Sequence, residues 1–264
     1  MPDQIREFHR APTVERAVEL LQRSDRTTAP LVAGPRLPDA GFPAADAVVD
    51  LRGLALDGIA PAGDAVRLGA LTPLQVVVES SRLAALAGGI LPKTAYLAAH
   101  FGLRNLATIG GAIDGALSDS AAPPEVLLAL LALNASVEVH APTVTQMPLA
   151  AWRPGAGLLA TVIVPARGGQ GALARVARSP LDRAIVAAVA VVVEGVARVA
   201  VSGAAPGPIT AQAALGSDPE AAANELASQI SAAAAPQGDY RGSAAYRLAM
   251  AVTLTRRALM EALG

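Results

Sequence analysis

The sequence predicts an α+β protein, and three observations carry that prediction. Strand and helix patterns alternate over residues 1–55, two apolar runs joined by Glu194-Gly195 give a hairpin signal late in the chain, and an amphipathic helical pattern closes it. The 264 residues suffice for one or two domains with a substantial core.

Taken in order, a short strand over 4–9 leads through Ala11-Pro12 to Thr13, whose hydroxyl suits a helix N-cap. Val14, Ala17, Val18, Leu20 and Leu21 then fall at helical spacing, with Glu15 in the first turn where the helix dipole favours an acid. A strand over 30–33 breaks at Gly34-Pro35, and after a loop rich in proline and glycine come strands over 47–51 and 65–70. Two helices follow, one over 72–79 capped by Thr72 with Pro73 at its first position, the other over 91–101. Beyond Pro123-Pro124, residues 125–133 read as a helix apolar on nearly every side, which places it in the core. Strands over 136–140 and 158–165 precede Arg167-Gly168-Gly169-Gln170-Gly171, which reads as a linker and puts a domain boundary near 167. The hairpin strands cover 185–193 and 196–202. The remainder reads as helical and alanine-rich, interrupted at 238–241 before a last helix over 244–263.

Composition excludes several classes of function. Hydrophobic residues make up 53% of the chain, yet no run approaches the roughly 20 apolar residues of a spanning helix. The formal net charge of -1 gives no electrostatic reason for nucleic acid or an anionic membrane as a partner. Cysteine is absent, which removes disulfides, thiolate nucleophiles and any iron–sulfur cluster ligated by this chain. Lys93 is the only lysine beside many arginines, a bias of GC-rich bacterial genomes. The first residues hold acids and a proline and no apolar core of a signal peptide, so a cytoplasmic protein is expected.

Few residues carry chemistry by themselves. There is no GxSxG elbow, Walker lysine, HExxH or GxGxxG after a strand, and His9, His100 and His140 sit on separate elements, so no metal site is expected. Lys93 sits where an ordinary surface lysine would. The stretch from Arg104 through Thr108-Ile109-Gly110-Gly111 is different. Paired glycines after a threonine inside an apolar run mark close backbone approach, either a tight turn between buried helices or a loop whose amides and hydroxyl bind pyrophosphate.

Matches spread along the chain resemble one family. Phe8 to Thr13 with Glu15 to Leu21 looks like its opening, Val48-Val49-Asp50-Leu51 like its second strand, and Leu68-Gly69-Ala70-Leu71-Thr72 like its IGALTT stretch. Arg104-Asn105 with Thr108-Ile109-Gly110-Gly111 is similar to RNxGTIGG, Arg178 with Asp182 and Ala184-Ile185-Val186 to the opening of its third domain, and the segment from Asp239 to Arg247 to DLRGSAEYR. The sequence thus resembles the FAD-binding (medium) subunit of molybdenum hydroxylases, the group of carbon monoxide dehydrogenase and xanthine dehydrogenase. The resemblance implies a two-part FAD-binding domain of the vanillyl-alcohol-oxidase/PCMH type over 1–167, with subdomains of about 1–55 and 56–167, and a C-terminal domain of antiparallel sheet plus helices over 168–264. It implies FAD as cofactor, with electrons entering from an iron–sulfur subunit beside a molybdenum-cofactor subunit and leaving to an acceptor.

Carried residue by residue, the resemblance places the flavin pyrophosphate at Ala33-Gly34 and at Thr108, Ile109, Gly110 and Gly111, with Leu159 beside the isoalloxazine and Arg175 where the family has a lysine near the ring. The chain departs from the family at these places. Pro35 stands for the second glycine of the first loop and removes an amide donor, Ala112 stands for the polar residue after Gly111, and Ala122 for an acid, which leaves Asp119 as the nearest carboxylate. Two expectations follow: a working flavoprotein in which Arg36 serves as a phosphate ligand, or a family member that has lost FAD and acts as a scaffold between subunits.

Overall fold

In the computed structural model, residues 5–31, 45–118, 124–179 and 182–264 are described. The first unit comprises β1 (Glu7–Arg10), α1 (Val14–Leu21), β2 (Thr28–Leu31) and β3 (Ala47–Asp50). Its strands form a parallel sheet in the order β1-β3-β2, and β3 is buried along its whole length, as suits a central parallel strand. The Thr13 hydroxyl accepts the amide N–H of Arg16 at 3.2 Å, so the expected cap is made. Thr13→Ala is expected to lower stability by about 1 kcal/mol, read as a shift in denaturant midpoint.

The middle of the chain supplies β4 (Ile59–Ala62), β5 (Ala65–Gly69), α2 (Leu74–Glu79), α3 (Ser81–Ala84), α4 (Ile90–Ala98), α5 (Phe101–Arg104), α6 (Ile109–Ser118) and α7 (Glu125–Ala132). With β6 (Ser136–His140), β7 (Val144–Pro148) and β8 (Leu158–Pro165), the strands make an antiparallel sheet in the order β4-β5-β8-β6-β7. Strands β4 and β7 were not expected. Each contains a proline, Pro61 and Pro148, and each is an edge of the sheet, where a missing amide donor breaks no ladder bond between two partners.

Two expected features are corrected here. Thr72 does not cap α2: its hydroxyl donates to the carbonyl of Gly58 at 3.1 Å, and Pro73 is the cap residue. The single helix expected over 91–101 is α4 followed by α5, because Ala99 turns extended (φ -162°, ψ 161°). Arg104 stabilises the break by donating from Nη1 to the carbonyls of Tyr96 and Ala99 at 3.1 and 2.7 Å.

The last part holds β9 (Gln170–Val176), β10 (Val186–Val193), β11 (Val196–Ser202), β12 (Ile209–Ala214), α8 (Pro219–Ala233) and α9 (Ala244–Leu263). The strands form an antiparallel sheet in the order β12-β11-β10-β9. The hairpin between β10 and β11 turns on Glu194 and Gly195 with φ of 51° and 75°, the double positive φ of a type I′ turn. Strand β12 replaces part of the helical remainder, and Gln170 and Gly171 open β9, so they are not linker residues. Strand β10 is covered on both faces: Ala187, Val189 and Val191 join one core with α4 and α7, while Val186, Ala188 and Ala190 join a second core with α8 and α9. The mixed α+β architecture, with an antiparallel sheet and helices at the C-terminal end, is as the sequence predicts.

Candidate functional site

A cleft of about 240 Å³ opens where the parallel sheet and α1 meet the start of α6 and of β8. Val18, Leu21, Leu51, Leu71 and Leu158 make much of the wall apolar, while Gly110 and Gly111 on one side and Gly155 and Gly157 on another let backbone lie close to whatever occupies it. Gln22, Thr28, Asp114 and the indole N–H of Trp152 are its polar side-chain groups among the described residues. Beneath it, Asp50 anchors the end of β3. Arg52 donates Nε and Nη2 to its carboxylate at 2.8 Å each and holds that carboxyl down to about 2.

Local bonding explains why the two glycines sit where they do. Leu74 donates to Ala107 at 2.8 Å, Ile109 to Thr72 at 3.0 Å and Gly110 to Ala70 at 2.8 Å, so segment 107–110, which includes the first residues of α6, is strapped against 70–74. A Cβ on Gly110 would stand 2.8 Å from the carbonyl oxygen of Ala70, closer than real side chains come, and that strap is the reason for the first glycine. Thr108, 1% exposed, caps α6 by accepting the Gly111 N–H at 3.1 Å. The second glycine faces the cleft.

The structure thus brings some of the expected residues together and separates others. Gly110, Gly111 and Leu159 line one cleft; Thr108 and Ile109 are buried and hold up its floor. Arg175 is not among the described lining residues. It sits on β9, its Nε 3.6 Å from a carboxylate oxygen of Glu125, and it donates through Nη2 to the carbonyl of Asp182. Glu125, 1% exposed at the start of α7, has its other oxygen without a hydrogen-bond partner among the described residues, and burial pushes its carboxyl above the usual carboxylate range against the pull of Arg175. Ala33, Gly34, Arg36, Asp119 and Ala122 lie outside the described residues. Arg104 of the RN motif is accounted for structurally: it is 7% exposed, donates to Gln75 at 2.9 Å and lies over the Tyr96 ring at 4.6 Å.

Sequence reasoning missed the wall opposite Gly111. Trp152 lines the cleft, and its indole N–H is buried with no acceptor among the described residues. Gly155 and Gly157, both at positive φ, shape the turn beside it, and the glycine spacing in Arg153-Pro154-Gly155-Ala156-Gly157 was the available signal. These residues fit a group that is apolar over most of its surface and anionic in part. The anionic part suits the start of α6, where the helix dipole is positive. The Gly111 amide there donates to the Thr108 hydroxyl oxygen at 3.1 Å.

An α+β scaffold with a glycine-started helix over an apolar cleft has the geometry of a small-molecule site between sheets. The sequence profile of the FAD binding domain in molybdopterin dehydrogenase matches residues 4–167, and the chain belongs to that family. A chain of the reconstituted CO dehydrogenase from Oligotropha carboxidovorans superposes with a TM-score of 0.82 at 27% identity, covering 97% of this chain and 96% of that one. CO dehydrogenase from Hydrogenophaga pseudoflava lacking the Mo-pyranopterin moiety of the molybdenum cofactor gives 0.81 at 25% identity, with 97% and 96% covered. Quinoline 2-oxidoreductase from Pseudomonas putida 86, at 20% identity with the same 97% and 96% covered and a TM-score of 0.79, shares the fold. No curated protein matches the sequence.

Proposed function

We propose that this chain is the flavoprotein subunit of a molybdenum hydroxylase-type complex and passes electrons from an iron–sulfur partner through FAD to an acceptor, with a molybdenum-cofactor subunit as the third component. Residues 1–167 form the FAD-binding part in this reading, 168–264 the C-terminal part, and the complex is cytoplasmic. Among the described residues no helix is long and apolar enough to cross a membrane. One observation carries the reading: the family's double glycine opens a ten-residue helix directly on a cleft whose far wall includes Leu158 and Leu159. Bound FAD would supply the redox chemistry itself. The chain's part is to hold it. The start of α6 at Gly110 and Gly111 would take the pyrophosphate at the helix dipole, the buried Thr108 would fix that turn from behind, and the leucines and Trp152 would exclude water from the apolar rings.

A second reading, a scaffold that has lost FAD, draws on a different observation. The amides of Ile109 and Gly110 are already bonded to backbone carbonyls, and Arg175 is committed to Glu125, so fewer donors remain than the family motif offers. A visible absorbance spectrum of the purified protein, with and without added FAD, separates the two. Flavin absorbance, or quenching of flavin fluorescence on mixing, is the expected result. A colourless protein with no quenching and no thermal shift, alone or with its partner subunits, would leave the scaffold reading standing.

A further inference from the structure

A second cleft, of about 260 Å³, shares no described lining residue with the first. Leu127 and Leu128 of α7 form an apolar floor, and three arginines, Arg183, Arg241 and Arg247, line it together with one carboxylate, Asp239. Arg247, 7% exposed, is a fixture of the frame: it donates to the carbonyls of Ile185 and Gly203 at 2.9 and 3.3 Å and to the Asp239 carboxylate at 2.7 Å. That carboxylate also accepts the amide N–H groups of Arg241 and Gly242 at 2.8 and 3.1 Å, and Arg247 holds it below the usual carboxylate range. The charge of Asp239 is therefore answered by Arg247. Arg241 reaches the carbonyl of Arg183, a neutral acceptor that leaves the charge of its guanidinium in place, and Arg183 lines the same wall with a contact of its own.

From this arrangement we propose that the cleft is a binding site for a compact oxyanion, a phosphate or a small carboxylate, held by Arg241 with Arg183 on the wall. The formal charge of the described lining is positive by three guanidiniums against one carboxylate. The planar guanidinium fork matches the paired oxygens of either group. The leucine floor receives a hydrocarbon body where the ligand has one. The site stands apart from the flavin reading, because the two clefts share no described lining residue.

The test is isothermal calorimetry on the full chain in phosphate-free buffer without added flavin. Inorganic phosphate and benzoate are titrated separately against sodium chloride of equal ionic strength. Saturable heat from either oxyanion and none from chloride is expected; phosphate alone points to a phosphoryl ligand, benzoate alone to an apolar carboxylate. Arg241→Gln is expected to weaken binding about tenfold or more, the usual effect of losing one charge-assisted hydrogen bond. Gly207→Asp guards against a misfolded loop, because a Cβ there meets nothing within 4 Å and the new carboxylate stands at the mouth of the cleft. It should bring at least the same loss with an unchanged circular dichroism spectrum. No saturable heat from either oxyanion, or parental affinity in Gly207→Asp, overturns the proposal.

Discussion

Arg175→Met is expected to destabilise the protein by about 3 kcal/mol at about pH 8 and by much less at about pH 5. Glu125 is the reason. Its carboxyl is buried at the start of α7, with the Arg175 Nε 3.6 Å from one of its oxygens. Burial raises its pKa in the folded protein, so the native state holds more protons than the unfolded chain between the ordinary glutamate value and the raised one. Stability falls as pH rises through that window, and Arg175 limits the fall by favouring the carboxylate. Methionine keeps the apolar stem of the side chain and removes the charge, which widens the window upward. Denaturant melts of both proteins at the two pH values measure the difference, and an equal loss at both would show that the contribution of Arg175 is packing and not charge.

Gly111→Val is expected to lower FAD affinity by at least two orders of magnitude, on the order of 3 kcal/mol, while leaving the fold intact. The two adjacent glycines have different reasons to be glycine. A side chain on Gly110 collides with the Ala70 carbonyl, so substitution there strikes stability. Gly111 lies on the cleft wall inside a helix, where valine is no worse a helix former than glycine, so propensity predicts no unfolding. A branched side chain there covers the approach to the amide that Thr108 holds. Fluorescence titration with FAD measures the change, with a thermal melt beside it. Parental affinity in a folded variant would mean that the pyrophosphate sits elsewhere.

Much of the scaffold was legible because it rests on local signals. Thr13 with its apolar helix face, the all-round apolar run of α7, and the Glu194-Gly195 turn each state their structure within a few residues. Strand β12 was not legible, since its alternation is written largely in alanine, which serves helix and strand patterns alike. The break between α4 and α5 depends on Arg104 reaching back to Tyr96, a contact no periodicity reveals. At the site, Gly110 and Gly111 were visible as a motif, but the Ala70 and Thr72 carbonyls that take up neighbouring amides come from a segment about 40 residues earlier. The same holds for Arg175: its position could be read from the resemblance, whereas the buried Glu125 that engages it lies 50 residues away and on another element.

Strand β10 has one side chain row in each of two cores. Neither the helices that precede it nor those that follow can melt without uncovering one of those rows to water, so the loss of either layer strips apolar surface from the other's foundation. The two layers on β10 are therefore expected to unfold together, and a cut near residue 167 is expected to yield fragments that expose apolar faces and aggregate where the whole chain does not.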